Sequence, residues 1–172
     1  LYNLYQPENI SSINHTDFKP KQMNFHNLSF THVTRKRINR ECMMASIKGK
    51  EFQKVPAYLH NDKTQETFIY KNLPIISWRS LPKQDIFNNE MFIVSSVGAD
   101  SFEFTSDDGN TYTEKLENFS KVFYPAYCIT IHCSQGQTYN TDYTIHDWRM
   151  LDERLKYVAL SRASSINNIS IL

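Results

Sequence analysis

The chain has 172 residues, 40% of them hydrophobic, so it is long enough and apolar enough to bury a core of its own. Its 19 basic and 18 acidic side chains nearly cancel, which excludes a global positive field of the kind that drives strong non-specific nucleic-acid binding. Any nucleic-acid contact would therefore depend on a local cluster of residues.

The cysteines and the hydropathy pattern limit the class of protein further. Cys42, Cys128 and Cys133 have no paired spacing, which favours reduced thiols in an intracellular compartment over a disulfide framework. No metal site is predicted, because Cys128 and His132 lie four residues apart on a predicted strand. No apolar run approaches the ~18 residues of a membrane span, and no signal peptide opens the chain. Because the first residue is Leu1 rather than Met, we expect a fragment of a longer protein.

The first part of the chain is predicted to contain a connector, a strand and a helix. Residues 1–26 are polar and rich in Asn, Lys and Pro, which is typical of a connector. Alternation of apolar and polar residues predicts a strand over 28–33, and Thr34 is the predicted N-cap of a helix over 35–47 that stops at Gly49. Four cations near the helix start are interpreted as a solvated helix face, namely Arg35, Lys36, Arg37 and Arg40.

Short strand-like runs then follow at close spacing, over residues 73–78, 90–94, 101–104 and 111–113. Turn residues separate them, including Asn88-Asn89 and Asp107-Asp108-Gly109-Asn110. This pattern is typical of a small antiparallel meander or barrel. Its aromatic residues allow two interpretations, base-stacking platforms or a core, and the core is favoured for Trp78, Phe92, Phe102, Phe104 and Tyr112.

The last third of the chain alternates strands with helices. Strands are predicted over 126–131, 143–146 and 169–172, with a turn or short helix opening at Ser134 and Gln135 and a helix over 152–161. That helix should point Leu155, Val158 and Ala159 inward. Strands and helices on both sides of a β unit predict an α/β sheet domain interrupted by a β module.

Two stretches carry candidate binding residues. In ITIHCSQGQT, residues 129–138, a strand ends in small polar groups around Gly136, which suits a phosphate or sugar backbone. The alternative is a plain strand-to-helix turn in which Ser134 only caps. In YVALSRA, residues 157–163, Arg162 could fork onto phosphate oxygens. Taken alone, a surface arginine that compensates the helix dipole is the favoured interpretation there.

Taken together, ITIHCSQGQT and YVALSRA resemble motifs V and VI of superfamily 1B DNA helicases, the Pif1- and RecD2-like group. FTHVTRKRIN, residues 30–39, resembles the strand and helix in which those proteins carry a Thr-Asn pair. Residues 74–79 followed by 88–90 resemble the start of their inserted subdomain. The implied fold is an α/β, RecA-like parallel-sheet domain, 2A, over 27–72 and 123–172. A small SH3-like antiparallel β-barrel insertion, 2B, would span 73–122.

The resemblance also implies roles for individual residues. Six would contact single-stranded DNA, namely Thr31, His32, Arg79, His132, Ser134 and Gln135. Gly136, Gln137 and Thr138 would face ATP and Mg²⁺, which an N-terminal RecA-like domain outside this chain would hold. Arg162 would reach the γ-phosphate as an arginine finger and stabilise charge on the transferred phosphoryl group.

Three residues depart from the family pattern. Cys133 stands where relatives often have Lys or Arg, so one charged phosphate contact is absent. His32 replaces the usual Asn. Asn89 stands where a glycine commonly turns the first 2B hairpin, a mild change because Asn tolerates left-handed geometry.

The sequence also predicts what this chain does not do alone. A P-loop, GxxxxGK(S/T), cannot be formed from Gly49, Gly98, Gly109 and Gly136. We therefore expect that the isolated chain neither hydrolyses ATP nor unwinds DNA. The pair Asp152-Glu153 is interpreted as a surface or capping pair and not as a metal-binding site.

The function that follows is the C-terminal motor domain of an ATP-dependent DNA helicase moving 5′ to 3′. Implied partners are single-stranded DNA, the N-terminal ATPase domain, and replication or repair proteins. The implied location is intracellular, in the nucleus, the cytoplasm or a viral replication site. The alternative is a non-catalytic single-stranded-DNA-binding or protein-docking module that keeps the fold. A helicase-like domain of a relaxase or nuclease-helicase is a further alternative.

Overall fold

The computed structural model describes Ile10, Phe18 and residues 24–172. Most of the predicted connector, residues 1–26, lies outside this part of the chain. The described residues divide into two compact units. One, the parallel unit, contains those up to Arg37 together with residues 128–172, and the other, the antiparallel unit, contains residues 38–127. The predicted domain bounds, which came from the resemblance, stay a prediction.

The elements are as follows. The strands are β1 (His26–Ser29), β2 (Gln53–Val55), β3 (Thr67–Ile69), β4 (Pro74–Ser77), β5 (Met91–Val97), β6 (Ser101–Ser106), β7 (Thr111–Lys115), β8 (Phe123–Pro125), β9 (Cys128–Thr130), β10 (Tyr143–Ile145) and β11 (Ile169–Ile171). The α-helices are α1 (His32–Ser46), α2 (Phe119–Val122) and α3 (Glu153–Leu160). Among the described residues, no helix combines the length and the hydropathy needed to cross a membrane.

The parallel unit is built on a four-stranded sheet in the order β11-β10-β1-β9, and all neighbouring strands run parallel. Every residue of β9, β10 and β11 is buried. Parallel strands are normally covered on both faces, which explains the continuous apolar and small residues of these short segments. A mixed α/β fold with a parallel sheet was predicted from the sequence and is confirmed.

The start of α1 differs from the prediction. β1 ends at Ser29 and the helix begins at His32, so the predicted strand over 28–33 was too long and the predicted N-cap Thr34 lies within the first turn. Thr31 is the cap instead, because its Oγ1 accepts a hydrogen bond from the backbone N–H of Thr34 at 3.1 Å. The helix ends at Ser46, and Gly49 follows with φ +74°, as the sequence predicts.

The basic cluster at the start of α1 is not wholly solvated. Arg37 and Arg40 are exposed, as predicted. Arg35 is fully buried, and its Nε donates to Nδ1 of His32 at 3.3 Å. The interpretation as a solvated face was therefore wrong for Arg35, which is buried on the same side of the helix as Ile38 and Asn39.

The antiparallel unit contains a five-stranded sheet in the order β7-β6-β5-β4-β8, and β2 pairs with β3 in a separate two-stranded sheet. β4 to β7 follow each other as antiparallel neighbours, so the predicted meander is confirmed. Left-handed residues turn it, with φ +66° at Asn89 and +84° at Gly109. The predicted strand over 126–131 is in fact preceded by β8, which pairs with β4, while β9 joins the parallel sheet.

The core of the antiparallel unit is aromatic. Phe92, Phe102 and Phe104 are at most 1% exposed. The rings of Phe92 and Phe104 meet edge to face with centroids 5.2 Å apart, a favourable arrangement for aromatic pairs. These three rings therefore form a core, as the sequence analysis favoured, and are closed to stacking by bases. Trp78 is half-buried, and its Nε1 donates to the carbonyl oxygen of Ser120 at 3.2 Å.

Candidate functional site

The candidate site lies where three parallel strands end. Ser29 pairs with Thr130, and Leu28 pairs with Ile145, so β1, β9 and β10 end at the same edge of the sheet. In open α/β sheets ligands bind beyond the carboxyl ends of the strands. The segments that follow the three strands carry Thr31, His132 and Asp147.

Asp147 was not singled out by the sequence analysis, and it organises this edge. Its Oδ2 accepts hydrogen bonds from the backbone N–H groups of Phe30 and Thr31, each at 3.2 Å, and its Oδ1 accepts one from the Thr34 hydroxyl at 2.9 Å. A carboxylate is favoured at a helix N-terminus, where backbone N–H groups lack partners. The available signal was an acidic residue directly after the predicted strand over 143–146.

Asp147 reaches this position through an uncommon backbone conformation. Its φ is +61°, in the left-handed region, which Asp tolerates better than most residues. The preceding residue is fixed by β1, because the N–H of His146 donates to the carbonyl of Leu28 at 2.8 Å and Nε2 of His146 lies 3.0 Å from Oδ1 of Asn27. The end of β10 is thus held against β1.

Thr31 and His32, both predicted to contact DNA, lie at this edge with their side chains engaged. The Thr31 hydroxyl accepts from Thr34 N–H and lies 3.0 Å from Thr34 Oγ1. His32 is half-buried and accepts a hydrogen bond at Nδ1 from Arg35. Since Nδ1 is an acceptor, the neutral ring carries its hydrogen on Nε2, which is a donor.

The predicted loop after β9 begins as a 3₁₀ turn, Ile131–Ser134. Ser134 is fully buried, and its hydroxyl donates to the carbonyl of Ile131 at 2.8 Å. Contact between DNA and this hydroxyl would require the turn to open, so that role stays a prediction. Cys133 is half-buried beside Thr130, with 3.1 Å between its Sγ and the Thr130 Oγ1.

A second turn follows, which we call the glycine turn, residues 134–137. The N–H of Gln137 donates to the carbonyl of Ser134 at 3.0 Å across Gln135, at φ −60° and ψ 130°, and Gly136, at φ +88°. These angles and this hydrogen bond are those of a type II turn, whose third residue needs a positive φ. Around it His132, Gln135 and Thr138 are exposed, so polar side chains face solvent.

Tyr139 anchors the end of the loop. Its hydroxyl donates to Oε1 of Gln137 at 2.7 Å, and its ring stacks on His26 with centroids 5.3 Å apart. Burial raises the pKa of the Tyr139 hydroxyl well above its ordinary value. The hydroxyl therefore stays a donor throughout the physiological range.

Arg162 links α3 to the glycine turn. Its Nη1 donates to the carbonyls of Gln137, at 3.0 Å, and Ser134, at 3.3 Å. Its Nε donates to the carbonyl of Val158 at 3.1 Å, and its Nη2 donates to the Ser161 hydroxyl at 3.0 Å. The two stretches identified in the sequence are thus joined directly by hydrogen bonds. Compensation of the helix C-terminus, the alternative from sequence, accounts only for the bond to Val158.

The remaining predicted residues fall elsewhere. Arg79 follows β4 in the antiparallel unit and is exposed. Asp152 is the N-cap of α3, with its Oδ1 2.7 Å from Leu155 N, which confirms the capping interpretation. Leu155 and Val158 are only half-buried, whereas Ala159 and Leu160 are buried. Within the described residues, no group of three or more His, Cys, Asp or Glu side chains could hold a metal ion.

The fold is that of the Pif1 helicases among solved structures. Pif1 from Bacteroides bound to single-stranded DNA superposes with a TM-score of 0.73 over 98% of this chain and 47% of that protein, at 14% identity. Bacteroides Pif1 in complex with ADP-AlF3 and single-stranded DNA gives 0.69 over 98% and 47%, at 15% identity. Pif1 from Candida albicans gives 0.68 over 99% and 51%, at 16% identity.

This likeness confirms, at the level of the fold, the Pif1-like resemblance drawn from the motifs. The chain spans about half the length of these helicases. No protein-family model matches the sequence, and no curated protein matches it.

Proposed function

We propose that this chain is the C-terminal motor domain of an ATP-dependent superfamily 1B DNA helicase. In this proposal the parallel unit is the RecA-like 2A domain, and the antiparallel unit is an SH3-like 2B barrel. One observation carries the proposal. Arg162, which the resemblance assigns to ATP, is hydrogen-bonded both to Ser134, which the resemblance assigns to DNA, and to Gln137, which it assigns to ATP.

Single-stranded DNA is the proposed ligand of the strand edge. His132 and Gln135 are exposed beside the glycine turn, and His32 is half-buried at the start of α1, where its Nδ1 accepts a hydrogen bond from Arg35. Neutral donors that approach closely suit a phosphodiester backbone, whose contacts are shared among side chains, backbone N–H groups and helix N-termini. Since Cys133 supplies no charge, His132 is the proposed main contact, with Thr31 and Ser134 as further contacts at this edge; Arg79 is proposed as a separate contact on the antiparallel unit.

ATP with Mg²⁺ would be held by an N-terminal RecA-like domain that carries the P-loop. Arg162 would then stabilise the charge that develops on the γ-phosphoryl group, and Gly136, Gln137 and Thr138 would face the nucleotide. Closure of the two RecA-like domains on ATP, followed by opening after hydrolysis, would step the protein 5′ to 3′ along the strand. The proposed setting is intracellular, with replication or repair proteins as partners.

A titration of poly-dT onto the isolated chain at several salt concentrations tests the DNA part of this proposal. His132→Ala should weaken binding several-fold, because it removes an exposed donor at the strand edge. His60→Ala, which removes an exposed histidine of the antiparallel unit, is the matched control and should bind like wild type. Equal affinities for wild type and His132→Ala would remove His132 from the DNA contact.

The ATP part has its own test on the same protein. The purified chain should show no DNA-stimulated ATP turnover, because it has no P-loop. Turnover that is stimulated by DNA and abolished by Arg162→Ala would contradict this division of roles.

A second candidate is a non-catalytic single-stranded-DNA-binding or docking module. The contacts of Arg162 favour it, because they satisfy the guanidinium within the chain and give the residue a structural role without ATP. The two candidates differ in the complete protein. A helicase would bind a non-hydrolysable ATP analogue and lose turnover on Arg162→Ala, whereas a module of the second kind would do neither.

A further inference from the structure

Arg162 closes the open side of the glycine turn. Within the turn, Ser134 and Gln137 are joined by one backbone hydrogen bond. Nη1 of Arg162 adds two more bonds, one to each of their carbonyl oxygens. Gly136, at the centre, meets no atom within 4 Å of the position a Cβ would take, so side-chain packing does not hold the turn at that residue. The guanidinium supplies the missing support.

The guanidinium is itself held in place by hydrogen bonds to the C-terminal end of α3. Its Nε is fixed to the last turn of α3 through Val158, and its Nη2 to the Ser161 hydroxyl. Four of its five N–H groups are thereby engaged, which a lysine ammonium on a flexible stem could not reproduce. All four acceptors are neutral oxygen atoms, so the positive charge of Arg162 remains beside the turn.

We propose that Arg162 is a positioning residue for DNA binding, in addition to any contact it makes with nucleotide. By bonding both ends of the glycine turn it holds His132 and Gln135, on either side of Ser134, in the orientation that a DNA backbone meets. A loop that is already ordered binds more tightly, because less conformational freedom is lost on binding. This inference rests on the proposed DNA-binding function and concerns the protein without nucleotide.

The isolated chain is suited to the test, because without a P-loop any role of Arg162 in ATP hydrolysis does not affect the measurements. Two measurements are made with no nucleotide present: amide hydrogen exchange at Gln137, and affinity for poly-dT with its salt dependence. Arg162→Ala should speed exchange at Gln137 at least tenfold and weaken poly-dT binding about fivefold. Arg154→Ala, which removes an exposed cation from α3, is the matched control and should change neither the exchange rate at Gln137 nor the affinity for poly-dT.

Arg162→Lys separates geometry from charge. It keeps the cation but cannot bridge two carbonyls while bonded to Val158 and Ser161, so it should behave like Arg162→Ala in both measurements. Recovery of wild-type affinity by Arg162→Lys would overturn the proposal, since charge alone would then explain the binding. Unchanged exchange at Gln137 in Arg162→Ala would overturn it as well.

Ser161→Ala is a milder variant that keeps the proposal testable if the arginine variants do not fold. It removes the acceptor of Nη2 and the bond from the Ser161 hydroxyl to the Val158 carbonyl, but leaves the bonds from Nη1 to the turn, so it should shift exchange and affinity in the same direction by a smaller factor. No shift in either measurement would count against the proposal. If wild type fails to bind poly-dT, the proposed function fails, while the exchange data still decide whether Arg162 holds the turn.

Discussion

The Asp147 carboxylate caps the helix whose N-cap residue is Thr31, with Oδ2 3.2 Å from the Thr31 backbone nitrogen. The two residues are 116 positions apart in the chain, so the contact joins the end of β10 to the end of β1. It supplies the helix N-terminus with a negative charge from outside the helix, since the first turn of α1 contains no acidic residue. The orientation of Thr31 and His32 therefore depends on Asp147.

Asp147→Ala should destabilise the protein by about 1–3 kcal/mol, because two backbone N–H groups and the Thr34 hydroxyl lose their acceptor. Asp147→Asn keeps one amide oxygen and should lose less. Urea unfolding of the isolated chain measures both. Asp62→Ala, at an exposed position of the antiparallel unit, is the control and should stay within about 0.5 kcal/mol of wild type. A similar loss in the control would argue against a specific cap.

Gly136→Ala and Gly109→Ala form a matched pair. Both glycines have positive φ, +88° and +84°, and neither would place a Cβ within 4 Å of another atom. Each substitution should cost about 1 kcal/mol of unfolding free energy from backbone strain alone. Only Gly136→Ala should also weaken poly-dT binding, because Gly136 lies in the glycine turn. Equal binding by the two variants would exclude that turn from the DNA contact.

Cys133→Lys should add a cation at a position where the resemblance to superfamily 1B helicases leads us to expect one. Each added phosphate contact steepens the salt dependence, so the slope of log affinity against log salt for a single strand should grow by about 0.7. The control is Asn140→Lys, which adds the same charge at an exposed position of the same unit. An unchanged slope for Cys133→Lys would show that position 133 does not face the DNA backbone.

Phe104→Ala should lower the free energy of unfolding by about 3–5 kcal/mol, because it leaves a cavity in the aromatic core of the antiparallel unit. Phe87→Ala, at a ring that is 61% exposed, should cost far less. Thermal and urea unfolding provide the comparison. The milder Phe104→Leu, which should fold, is expected to keep wild-type affinity for poly-dT, and a loss of binding in that variant would revive the base-stacking interpretation.

Cys42 should be an unreactive thiol. Burial, and to a lesser extent Glu41, raises the pKa of Cys42 to about 11. The thiolate is the reactive form, so at pH 8 about 0.1% of Cys42 is available for alkylation. The raised pKa means that the folded state favours the neutral thiol more than the unfolded state does. The stability that this preference contributes is lost as the pH rises through 11. Iodoacetamide labelling followed by mass spectrometry should find Cys42 slow at pH 8 and fast after unfolding.

The elements best predicted from sequence were those set by local periodicity. Alternation with period two and turn residues at Asn89 and Gly109 were enough for the meander, since both act over a few neighbours. The choice of cap at α1 was not local in this sense. Thr31 and Thr34 are both capable caps, and the distant Asp147 engages both residues at the helix start.

The features that could not be predicted depend on contacts between residues far apart in the sequence. Burial of Arg35 could not be predicted, because a run of four cations within six residues is usually exposed. The apolar stretch 123–131 shows no signal that assigns β8 and β9 to different sheets, since the partners of β8 lie 46 to 50 residues away in sequence and those of β9 lie 101 residues away. The contact of Arg162 with the glycine turn crosses 25 residues and emerged only from the fold.

One consequence follows from the two hydrogens of Arg162 Nη1. Both hydrogens are donated to carbonyl oxygens of the glycine turn. A γ-phosphate oxygen that accepted a hydrogen bond from Nη1 would therefore compete with the carbonyl of Ser134 or of Gln137. In a helicase of the proposed architecture, ATP and the turn would thus share a single nitrogen atom. Thermodynamic reciprocity then fixes the outcome in both directions: the free energy by which bound ATP loosens the DNA equals that by which bound DNA loosens ATP.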